Sequence, residues 1–169
     1  VGRQQALRMG EHVRQRFPSF YLMTSPALRA KQTAEALRGV AEIVPDAAEV
    51  HFGRFEGRTG AEIRAAADSV DFERWESGLS TDGAESLTAA SKRANRVFEQ
   101  ILAGQADTTI LVSHGLFIRV MIYACVLKVD VATCRTMVID NASVSTVVMA
   151  DRDVRLTGLN DTHFLRSIA

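Results

Sequence analysis

Thr109-Ile110-Leu111-Val112 is a short apolar run that stops at Ser113-His114-Gly115, and a longer apolar stretch, Leu116 to Leu127, follows at once. The first run has the length of a strand. The second, interrupted by Arg119, is too long for a strand and too short to cross a bilayer, so it reads as a buried helix. A buried strand passing through a histidine and a glycine into a buried helix needs sheet neighbours and covering helices. That requirement points to an α/β architecture.

The rest of the chain continues the alternation. Ala6, Leu7, Met9 and Val13 fall on roughly one face of a helix over 1–16, which Pro18 stops. Phe20 to Met23 is expected as a buried strand. Ser25 then reads as a helix N-cap with Pro26 at the first helical position, the helix running to about Arg38 and ending at Gly39. Ile43 and Val44 form a second short strand. Thr59 with Glu62 has the capping-box spacing for a helix through Ala67. Ser86 opens a helix from Leu87 to Leu102, closed by Gly104. Ala142 to Met149 and Val154 to Leu156 form a hairpin turning at 150–153. No repeat, linker or low-complexity tract divides the 169 residues, so the whole chain is expected as one domain: a three-layer α/β sandwich with a mostly parallel central sheet.

In such a sheet, ligands bind beyond the carboxyl ends of the strands. Arg29 lies one turn into the helix after the Phe20 strand, and His114 stands where the Thr109 strand ends. Gly115 would let the backbone approach a ligand, and the helix start beyond it offers N–H donors. Together they make an anion site, suited to phosphate. Charge does not redirect this reading. The 20 acidic and 20 basic residues balance, which gives no footprint for nucleic acid or an anionic membrane. Cys125 and Cys134 are too few for a zinc site or a disulfide framework, so no metal is expected and a reducing, cytoplasmic setting is the default. Ser113 lacks the Gly-x-Ser-x-Gly elbow of a serine hydrolase.

Taken in order, Thr24-Ser25-Pro26-Ala27-Leu28-Arg29-Ala30, Glu49-Val50-His51-Phe52-Gly53 and Ser113-His114-Gly115 resemble the histidine phosphatase, or phosphoglycerate mutase-like, superfamily. Val1-Gly2-Arg3-Gln4-Gln5-Ala6, Asp82-Gly83-Ala84-Glu85-Ser86, Asn141-Ala142-Ser143 and Asn160-Asp161-Thr162-His163 resemble weaker family segments. The resemblance implies metal-free and cofactor-free phosphoryl transfer through a phosphohistidine. Arg29 would clamp the phosphoryl oxygens with a guanidinium fork. His114, with the Gly115 backbone, would stabilise the equatorial oxygens. Glu49 would protonate the leaving alcohol and then take a proton from water. The family's nucleophile belongs to an Arg-His-Gly strand that should precede residue 1, beside the His114 strand. It is expected upstream of Val1, because a central sheet without that strand would leave buried backbone groups unpaired. The 169 residues alone are therefore expected to be inactive.

Specificity is assigned to a capping segment at about 54–85, with Arg54, Phe55, Arg58, Arg74 and Trp75 as contacts. His51 is read as a pocket wall or support, Glu56 as a structural carboxylate, His12 as solvated and His163 as a packing residue. Three functions follow. The first is a phosphatase of a small phosphorylated metabolite, favoured over a phosphoglycerate mutase by the short span between Glu49 and His114. The third is a non-catalytic phosphate-binding or scaffold protein. A small phosphorylated substrate is the expected partner, and a homodimer is left open.

Overall fold

The structure, a computed structural model, describes residues 1–58, 61–62, 65, 83–150 and 153–166. Helix α1 spans Gly2–Arg16 and ends at Phe17, whose extended backbone is the conformation imposed on a residue that precedes proline. Its buried side is Ala6, Met9, Gly10 and Val13, whereas Leu7, expected on that face, is 61% exposed. Strand β1 (Tyr21–Thr24) leads to α2 (Leu28–Glu35), and β2 is Ala41–Ile43. The helix α3 (Leu87–Ala103) starts where expected, with Ser86 Oγ accepting the Ala89 N–H at 3.1 Å. Strand β3 (Thr109–Val112) passes into α4 (Gly115–Met121), which continues as a π-helical turn over Ile122–Leu127 and ends at left-handed Lys128.

Strands β2, β1 and β3 form a parallel sheet in that order. Alternate residues of β1 face opposite layers, as strand geometry requires. Met23 packs with Leu87, Ala90, Ala94 and Val97 of α3 and with Phe117 and Val120 of α4. Leu22 packs with Met9 and Val13 of α1 and Ala34 of α2. The result is the expected sandwich, with helices on both faces of the sheet. Gly10 sits where α1 meets the end of α2: a Cβ there would stand 2.3 Å from the Ala36 carbonyl oxygen, so the contact excludes any side chain.

Three local expectations are corrected. Ser25 is not the N-cap of α2, which begins three residues later, behind Ala27. Helix α2 stops before Arg38, and Arg38 rather than Gly39 takes the left-handed conformation after it, at φ 59°. Strand β3 is half-buried along its length rather than buried; it pairs with β1 and has no second strand partner among the described residues. The hairpin is present but longer on its second arm, as antiparallel β4 (Val144–Ala150) and β5 (Asp153–Asp161). The expected helix from Thr59 to Ala67 lies mostly outside the described residues. Among the described residues, no helix is long and apolar enough to cross a membrane.

Candidate active site

Chain order makes β1 the point where the sheet changes direction: β2 is added on one side of it and β3 on the other. Thr24 is in register with Val112, so the two strands end level. The residues that leave them meet in the crevice that such a reversal opens. Ser25 N–H donates to the Val112 carbonyl at 2.9 Å, which ties the two exits together.

His114 is the centre of the cluster. It is 6% exposed and stands at the N-cap position of α4. Arg29 Nε donates to its Nδ1 at 3.2 Å, and its Nε2 lies 2.7 Å from Ser25 Oγ. Because Nδ1 accepts, Nε2 carries the proton and donates to the serine. Burial first, and the adjacent Arg29 charge second, push the imidazole pKa down to about 4. His114 is therefore a neutral hydrogen-bond donor near pH 7. Arg29 itself is exposed, so its guanidinium is within reach of an arriving anion.

Glu49 sits on the segment after β2, half-buried. Its Oε1 accepts the N–H groups of Val50 at 2.9 Å and Phe117 at 3.0 Å, and its Oε2 accepts that of Leu116 at 3.4 Å. Glu49 thus closes the first turn of α4, directly beside His114. Two helix-start donors that the sequence had offered to phosphate are taken by this carboxylate instead. Gly115 is not required by packing either, since a Cβ there would meet only ordinary contacts, the nearest being Arg119 Nη2 at 3.7 Å.

Arg93 on α3 holds this arrangement. Its Nε and Nη2 pair with the two oxygens of Glu85, both at 2.7 Å. Its Nη1 donates to the carbonyls of Asp46 and, at 3.1 Å, Ala48. The guanidinium also lies 4.9 Å from the centroid of the Phe117 ring. One side chain therefore grips both the segment that carries Glu49 and the residue whose N–H that carboxylate receives. Nothing in the spacing of Arg93 marked it; only Glu85, in its Gly-x-Glu-Ser segment, drew attention. Ser25 reads locally as a cap, although its Oγ pairs with His114.

The remaining candidates separate from this centre. His51 is exposed, and its Nδ1 lies 3.0 Å from Gly53 N and 3.1 Å from the Gly83 carbonyl oxygen, so it either accepts from the first or donates to the second, according to tautomer. Glu56 Oε1 accepts the Phe52 N–H at 2.8 Å. Phe55 is 2% exposed and belongs to the core. Arg54 stacks on its ring at 5.1 Å, and Arg58 is exposed. Trp75 and Arg74 lie outside the described residues. His12 is not solvated as expected: it stacks on Phe164 with 4.5 Å between centroids.

The fold agrees with what the chain is similar to. The model of the histidine phosphatase superfamily (branch 1) matches residues 1–162. Among solved structures, Bacillus stearothermophilus YhfR superposes with a TM-score of 0.84 at 22% identity, covering 97% of this chain and 84% of that one. The alpha-ribazole phosphatase of Shigella flexneri gives 0.80 at 20% identity, over 95% and 82% of the two chains. A mycobacterial glucosyl-3-phosphoglycerate phosphatase gives 0.79 at 26% identity, over 94% and 85%. No curated protein matches the sequence.

Proposed function

The chain belongs to the histidine phosphatase superfamily, and from that premise we propose that the protein hydrolyses a small phosphomonoester at the crevice between β1 and β3. The observation that carries the reading is the Arg29–His114–Ser25 cluster: an exposed guanidinium and a buried neutral imidazole, joined at the reversal point of a parallel sheet.

A phosphoryl group entering there meets the Arg29 fork, which can donate two parallel hydrogen bonds to its oxygens. His114 redirects Nε2–H from Ser25 Oγ to a phosphoryl oxygen as charge spreads over the three equatorial positions. Glu49, held by N–H donors, faces the same end of the crevice as the proton acceptor for the hydrolytic water. Donating a proton to the leaving alcohol asks more of it, because a protonated Glu49 would have to give up part of its contact with Leu116 or Phe117.

The covalent acceptor is not supplied by the histidines other than His114 within 1–169. His12 and His163 pack against each other, and His51 Nδ1 is engaged with the backbone of Gly53 or of Gly83.

The substrate class is tested on a panel of phosphomonoesters that includes alpha-ribazole phosphate and glucosyl-3-phosphoglycerate, with and without 2,3-bisphosphoglycerate. Saturable release of phosphate that does not need the bisphosphate supports a phosphatase. Turnover of phosphoglycerates only with the bisphosphate would make it a mutase, and phosphate binding with no turnover of any ester would make it a binding protein.

A further inference from the structure

Away from this crevice, three ligand-bearing side chains converge between α1 and the elements that follow the hairpin. His12 lies on α1, Asp161 ends β5, and His163 opens the turn His163–Leu165. One ligand atom from each lies within 4.8 Å of the other two. The two imidazoles stand edge to face, with centroids 4.9 Å apart and planes at 88°. Phe164 covers His12 on one side.

Part of this geometry has an ordinary explanation. Asp161 Oδ1 accepts the His163 backbone N–H at 3.0 Å and lies 2.7 Å from His163 Nδ1, which is a local cap on the turn. The cap does not account for His12. Its Nε2 is buried and has no hydrogen-bond partner among the described residues, a state that buried imidazole nitrogens rarely keep.

Two imidazoles and one carboxylate are the donor set of a borderline divalent transition ion, zinc above all, with water free to complete the shell. Zinc bonds of about 2 Å place tetrahedral ligands roughly 3.3 Å apart. The observed spread therefore closes with small side-chain rotations, the ion taking the place of the proton between Asp161 and His163. We propose that His12, Asp161 and His163 form a binding site for a divalent metal ion of the zinc class, which fastens α1 to the segment after β5. The site shares no residue with the Arg29–His114 cluster, so it stands or falls independently of the phosphatase reading.

The test uses the full chain, stripped with chelator and titrated with zinc by calorimetry in phosphate-free buffer, with thermal unfolding followed in parallel. One-to-one binding, a raised Tm and a visible d–d absorption on substitution with cobalt(II) are expected. His163→Gln, an exposed position that should leave the fold intact, should weaken zinc binding at least about tenfold and remove the gain in Tm. Asp161→Asn and His12→Gln should do the same. His114→Ala should keep the full response, which separates this site from metal held adventitiously in the crevice. No saturable zinc binding, or unchanged affinity in His163→Gln, would overturn the proposal.

Discussion

Arg29 and His114 are joined by a single hydrogen bond whose direction sets the chemistry of the site: Nε of the arginine donates to Nδ1 of the histidine at 3.2 Å. An imidazole that accepts at Nδ1 and keeps its proton on Nε2 is neutral, and it presents that proton to Ser25 Oγ 2.7 Å away.

The state of His114 can be read directly. Burial and Arg29 hold its pKa to about 4. Ring resonances followed by NMR should therefore show no titration between pH 5.5 and 8 in the free protein. Saturation with vanadate or phosphate should raise the midpoint, because an anion beside Nε2 favours the imidazolium. Arg29→Met, which removes a neighbouring positive charge, should raise it too. A midpoint near the ordinary value of 6.5 in the free protein would contradict the assigned tautomer and burial.

The same shift makes a statement about stability. Below pH 6.5 the unfolded chain binds a proton at this position, while the folded chain does not until about pH 4. The unfolded state then holds more protons, so stability falls as pH drops through that window and is regained above it. The contribution is on the order of 3 kcal/mol. Denaturant unfolding at pH 7 and pH 5 should show part of the loss, about 2 kcal/mol, because it is complete only below about pH 4, and His114→Phe should show less of it. An identical pH dependence in both proteins would dismiss His114 as the cause.

Loss of the cluster should be costly for turnover. His114→Ala is expected to lower kcat by about 10²-fold or more, the range for a preorganised donor to transition-state charge. Arg29→Lys should be severely impaired as well, since an ammonium lacks the fork. Steady-state kinetics alongside circular dichroism check both. A folded His114→Ala protein with unchanged kcat would end the assignment.

The frame of this site was legible because it rests on local pattern. Apolar runs and helix spacing placed β1, β3 and the helices after them, and motif order picked out Arg29, Glu49 and His114. What escaped is what depends on contacts distant in sequence. Ser25 looks like an N-cap to any local rule, yet its Oγ is drawn to a histidine 89 residues away. His12 falls on the polar face of α1 and is half-buried, with Phe164 and His163 packed on it. Phe55 sits among arginines and glycines, a surface-like context, but is 2% exposed. The donors at the start of α4 read as free until Glu49 is seen to occupy them.

Glu49→Gln separates proton transfer from structure. The amide keeps one carbonyl oxygen for the N–H groups of Val50 and Phe117, now bound at 2.9 and 3.0 Å, so the fold should survive with a cost of about 1 kcal/mol or less. Alkyl phosphates need their leaving oxygen protonated and should slow far more than activated aryl phosphates. Equal slowing of both classes would leave Glu49 with a purely structural role.

Arg93 should behave as a positioning residue for Glu49. Its ion pair with Glu85 is largely enclosed, with the two side chains 16% and 18% exposed. It also binds the carbonyls of Asp46 and Ala48 and lies over the Phe117 ring. Arg93→Met removes the charge and leaves Glu85 unpaired in a partly buried place, which should cost about 2 kcal/mol, below the range for fully buried pairs. Arg93→Lys keeps the charge but cannot fork to Glu85 while reaching the carbonyls, so it should recover stability more than activity. The decisive reading is the leaving-group pattern. If Arg93 acts by holding Glu49, Arg93→Lys should slow alkyl phosphates more than aryl ones. Combined with Glu49→Gln, it should add little further loss, because the two changes remove one function. Additive losses in the double variant, or equal slowing of both substrate classes by Arg93→Lys, would show that Arg93 serves the fold alone.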